Sequence, residues 1–78
     1  MRKRKVDGEK LREIREYQWL SQGELGEKAG VALHTISRIE KGRTPYPQST
    51  TLLSIARALG VDDPHELLEA KQSEAERR

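Results

Sequence analysis

Seventy-eight residues suffice for one small domain, and the absence of cysteine excludes disulfide staples, thiol chemistry and a zinc finger. No apolar run approaches the ~20 residues that a membrane-spanning helix needs. Net charge is only +2, but residues 1–45 hold eleven Lys/Arg against seven Asp/Glu, whereas residues 46–78 hold four against six. The basic excess therefore sits in the first part of the chain, where a phosphate-facing surface would be sought.

The MRKRK start looks like the charged opening of a signal peptide, but Asp7, Glu9 and Lys10 follow it instead of an apolar stretch. A cytoplasmic location is expected. Arg2-Lys3-Arg4-Lys5 has two readings, an arm lying along a DNA groove or a tail adding diffuse attraction. Residues 1–6 are assigned to this arm, 7–69 to the domain and 70–78 to a charged tail with almost no apolar content.

Apolar spacing with period 3.6 recurs along the chain and no stretch alternates with period 2, which predicts an all-α fold of five helices. Helix 1 is expected from about Gly8 to Gln18, with Asp7 as N-cap and Leu11, Ile14 and Arg15 on one stripe. Helix 2 begins at Ser21, where Ser21 and Glu24 have the spacing of a capping box and Leu20 and Leu25 that of a hydrophobic staple. Gly30 supplies the left-handed backbone of a tight turn. Helix 3 spans about Ala32 to Lys41, burying Ile36 and Ile39, and stops at Gly42. Two prolines make RTPYPQS a loop. Helix 4 covers Ser49 to Leu59, with Leu52, Ile55, Ala56 and Leu59 on one face, and Gly60 ends it. Helix 5 begins at Asp62 or Asp63 with Pro64 at its first position; one of Leu67 and Leu68 should complete the core.

The stretch SQGELGEKAGVALHTISRIEKG, Ser21 to Gly42, thus reads as two short helices joined by a glycine turn, the unit that places a helix in the major groove. Its elements SQ-x-x-L, AGV and TISRIEKG, followed by LL-x-IA-x-ALGV, resemble the Xre/Cro-type helix-turn-helix family of bacterial and phage regulators across roughly Leu11 to Leu68. The resemblance implies a compact five-helix, lambda-repressor-like domain with its helix-turn-helix at helices 2 and 3. It further implies a sequence-specific regulator of transcription that binds double-stranded DNA, a repressor acting as a homodimer on a palindromic operator. Helix 5 and its surroundings would supply the two-fold contact.

With Ile36 and Ile39 inward, Leu33, His34, Ser37 and Arg38 face outward and match the family's base-reading positions. Arg38 can bond guanine O6 and N7 together, His34 can donate to or accept from a base edge, and Leu33 can pack on a thymine methyl. Phosphate contacts are expected from Gln22 at the start of helix 2, from Thr35, and from Lys41, Arg43, Thr44, Tyr46 and Gln48 beyond helix 3. The resemblance also implies a largely buried ion pair between Arg15 and Glu40.

Three positions depart from the family pattern. Gly26 stands at the crossing of helices 2 and 3, where relatives usually have Ala, Trp19 where many have Gly or Asn, and Ala32 where Ser or Thr caps helix 3. Trp19 is expected to pack at the core edge, the alternative being an exposed anchor for a partner. A competing reading makes the chain a protein-interaction module of the antitoxin kind. Catalysis has no support, because His34 and His65 lie on separate helices without an orienting carboxylate. No cofactor and no metal are expected.

Overall fold

The computed structural model describes residues 4–70, so Arg2, Lys3 and the tail from Lys71 lie outside the described residues. Four α-helices form the body: α1 Gly8–Tyr17, α2 Gln22–Ala29, α3 Leu33–Glu40 and α4 Ser49–Leu59. The element expected as a fifth helix is a single 3-10 turn, Pro64–Leu67. Asp63 caps it by accepting from the His65 N–H at 3.0 Å, and Leu68 leaves it in extended backbone.

The start signals act as their chemistry dictates. Asp7 accepts from the Lys10 N–H at 3.1 Å. Ser21 Oγ accepts from the Glu24 N–H at 3.0 Å, and Glu24 Oε1 accepts from the Ser21 N–H at 2.8 Å, completing the reciprocal box. Hydrogen bonds that the carboxylate receives from Ser21, the backbone N–H first and the side chain second, hold Glu24 below the usual carboxylate range. Ala32 gives α3 no side-chain cap.

One apolar core joins all the elements. Leu11, Leu25, Ile36, Ile39, Ile55, Ala56 and Leu67 are fully buried, with Ile14, Leu20, Leu52, Val61 and Leu68 packed around them. α2 lies against both α3 and α4, and α1 against α3. At the α2–α3 junction, Gly26 passes so close to the next segment that a Cβ there would lie 2.5 Å from the Val31 carbonyl oxygen. Gly26→Ala is therefore expected to lower stability by about 1–2 kcal/mol, although alanine is the better helix former. Chemical denaturation would measure it, and a stabilised variant would show that the junction opens freely.

Two expectations need correction. Trp19 does not pack at the core edge: it is 93% exposed and stands in left-handed backbone, φ 58°. The chain must turn between α1 and α2, and Trp19 takes the conformation that glycine would adopt without strain, which carries its side chain outward. Its neighbour Gln18 engages the body instead, donating from Nε2 to the Leu59 carbonyl at 2.7 Å. The arm assigned to residues 1–6 is also shorter than expected. Val6 is buried, forms an antiparallel bridge with Leu68, and donates its N–H to the Pro45 carbonyl at 2.9 Å. On either side, Asp7 N–H reaches Leu67 O at 2.8 Å and Glu69 N–H reaches Lys5 O at 2.7 Å. The two ends of the domain are clasped together.

Candidate nucleic-acid interface

α3 is oriented by what it buries. Ile36 and Ile39 are fully enclosed, which turns Leu33, His34 and Arg38 to solvent and leaves Thr35 and Ser37 half-buried. Helical spacing places Leu33, Ser37 and Lys41 in one row and His34 and Arg38 in the adjacent one. Ser37 therefore belongs to the exposed side, although it is less open than its neighbours.

The loop after α3 is folded back onto the end of that helix. Gly42 takes left-handed backbone, and the Arg43 and Thr44 N–H groups both donate to the Arg38 carbonyl, at 2.9 and 3.3 Å. This brings exposed Arg43 and half-buried Thr44 beside Arg38 and Lys41. Tyr46 is about half-exposed, and Gln48 stands farther along as the N-cap residue of α4.

Charge on this side is one-signed. Between Leu33 and Gln48 the cations are Arg38, Lys41 and Arg43, and the single carboxylate is Glu40. Glu40 is turned inward, its side chain only 3% exposed, and makes a two-pronged bond with Arg15: Nε to Oε2 at 2.6 Å and Nη2 to Oε1 at 3.0 Å. Arg15 also donates from Nη1 to the Leu20 carbonyl at 2.7 Å. Hydrogen bonding to Glu40, the dominant cause, holds the guanidinium above its ordinary value against the opposing effect of burial. One bidentate pair thus ties α1, the turn before α2 and the end of α3, and turns inward the one carboxylate between Leu33 and Gln48.

Gln22 opens α2, as expected, and its amide is also engaged inside the protein. Its Nε2 donates to Glu40 Oε1 at 3.0 Å, so its amide is held by the ion pair at the opening of α2. Around it lies a polar cleft of about 180 Å³ lined by Arg12, Arg15, Glu16, Gln22, Glu40 and Lys41. Arg12 was missed in the sequence because an arginine four residues before Glu16 reads as an ordinary surface pair. It does bond Glu16 at 3.1 Å, yet it also stands at the rim of this cleft. Among the described residues no group of three His, Cys, Asp or Glu side chains is placed to hold a metal ion, and no helix is long and apolar enough to cross a membrane.

An all-helical domain of this size, with one exposed helix bearing base-competent side chains and an adjoining row of cations, is of the class of small DNA-binding domains. The chain belongs to the Xre/Cro-type helix-turn-helix family: the family described as helix-turn-helix domain matches residues 8–70. It is 39% identical over 54 residues to the HTH-type transcriptional repressor RghR of Bacillus subtilis, covering 69% of this chain and 40% of that protein. The chain spans less than half the length of the curated relatives it matches.

Two solved structures are similar over most of the chain. The P22 c2 repressor, in complex with a synthetic operator, superposes with TM-score 0.74 at 33% identity, over 82% of this chain and 94% of that one. The N-terminal DNA-binding domain of SinR, the master biofilm regulator of Bacillus subtilis, gives 0.74 at 32% identity, over 88% and 99%. SinR has also been solved in complex with the SinI protein.

Proposed function

We propose that the chain is a sequence-specific regulator of transcription, a repressor that binds a palindromic operator as a homodimer with α2 and α3 as its helix-turn-helix. The observation that carries this reading is the one-signed surface of α3 and its following loop, where three cations stand and the only carboxylate is drawn inward onto Arg15. Such a surface attracts phosphate. In this reading Arg38 and His34 reach base edges, with Leu33 and Ser37 beside them. Arg43, Lys41, Thr44, Tyr46, Gln48 and Thr35 meet the backbone, and Gln22 meets a phosphate while still braced by Glu40. Similarity to the operator-bound P22 c2 repressor and to RghR supports the repressor role.

Selection of bound duplexes from a random pool tests the proposal. The wild type is expected to return an inverted repeat. Arg38→Ala should blur one base pair in each half, a loss of about 1–3 kcal/mol of discrimination. Binding that is salt-sensitive but free of any motif would overturn sequence-specific reading. A second reading, a protein-interaction module, draws support from the similarity to SinR, a protein solved with a protein partner. That same motif-free result would favour it.

A further inference from the structure

The six glycines of this chain have separable reasons to be glycine, and one of them has none inside the fold. Gly30, Gly42 and Gly60 occupy left-handed backbone. Gly8 and Gly26 lie against backbone carbonyls that leave no space for a Cβ. Gly23, within the first turn of α2, has ordinary helical backbone and meets no other main chain. In an α-helix such a glycine is a poor choice. What a Cβ at Gly23 would meet is a side chain: the Cδ1 methyl of Leu33, at 3.3 Å, with Ser21 Oγ next at 3.9 Å.

Leu33 is itself out of place by composition. It is the first residue of α3, a large apolar side chain left 54% exposed on the face that carries His34 and Arg38. One of its terminal methyl groups rests over the bare backbone of Gly23, and more than half of the residue remains open. Fixing that methyl group restricts the rotamers of Leu33 and so aims its free surface.

We infer that Gly23 is a positioning residue for base recognition: its missing side chain seats Leu33 so that the exposed part of that leucine meets the C5-methyl of a thymine in the major groove. The inference rests on the reading of α3 as the recognition helix and adds a specificity element contributed by α2. An alanine at position 23 occupies the seat, displaces the flexible end of Leu33 by a few tenths of an ångström or into another rotamer, and moves the apolar contact off the methyl. Because the displaced atom is the far end of a flexible side chain, the fold itself has no reason to suffer.

The test uses the full chain and the duplex obtained by selection from a random pool. Each thymine of the selected sequence is replaced singly by uracil, which removes only the C5-methyl, and affinity is measured for wild type, Leu33→Ala and Gly23→Ala. One replacement is expected to weaken the wild type about three- to fivefold, the worth of one buried methyl group. Leu33→Ala should bring that ratio to about one. Gly23→Ala should bring it most of the way there while leaving the melting temperature equal or higher and the preference at the Arg38 position intact. A Gly23→Ala protein that keeps the full thymine-to-uracil ratio overturns the inference, as does a wild type indifferent to every replacement. A pool that yields no motif overturns the reading of α3 itself, an outcome distinct from either.

Discussion

Glu40→Ala is expected to lower the melting temperature by on the order of 15 °C, the consequence of about 3–5 kcal/mol lost when a buried charge is left without its partner. Three bonds end on that carboxylate, two from Arg15 and one from Gln22. With it gone, the Arg15 guanidinium keeps only the Leu20 carbonyl and Glu16 at 3.9 Å. The desolvation cost of a cation that is about nine-tenths covered is then uncompensated. Glu40→Gln separates charge from shape: it retains an acceptor but not the ion pair, and should fall between the two. Circular-dichroism melts decide the matter. A shift of a degree or less for Glu40→Ala would show that the pair contributes nothing beyond an ordinary surface contact.

The second large effect belongs to the 3-10 turn. Leu67→Ala should cost about 2–5 kcal/mol in urea unfolding, the range for emptying a fully enclosed leucine site. Leu67 is wholly buried although it sits in a four-residue element near the end of the described chain. Its carbonyl also receives the Asp7 N–H, so collapse of the cavity is restrained by the clasp. A loss below about 1 kcal/mol would mean that the turn is an appendage that adjusts freely, and that the core closes without it.

Which parts of this architecture the sequence discloses follows from the range of the interactions involved. The opening of α2 was legible because its signals are local: Ser21 and Glu24 satisfy each other three residues apart. Leu25 was legible from its staple spacing to Leu20, and the inward set Leu11, Ile36, Ile39 and Ile55 from periodicity, because an amphipathic helix has one way to bury its stripe. Leu33, His34 and Arg38 followed by subtraction. Arg15 and Glu40, 25 residues apart, became visible only through family resemblance, since no local rule pairs them.

The misses share a cause. Trp19 looked like a packing residue because tryptophan is large and apolar, but its surroundings are set by a backbone turn that the side chain merely follows. Pro64 at a capped start suggested another helix, yet Leu68 is drawn into extended backbone by its bridge to Val6. Val6 itself, one apolar residue after a run of cations, carried no periodic signal at all. The bond from Gln22 to Glu40 was equally hidden, because Glu40 lies at the far end of another helix.

The clasp between Lys5–Asp7 and Leu67–Glu69 has a consequence for how this domain can be connected to other things. Entry and exit lie side by side, so the domain is a closed circuit and can be spliced into an exposed loop of a host protein without prying the host apart. The same closeness permits the old ends to be sewn together by a few residues and new ones cut elsewhere. The stretch around Tyr46 is poor ground for that cut, because the Pro45 carbonyl anchors Val6 there. The step between Asp62 and Asp63, both exposed, offers a better place.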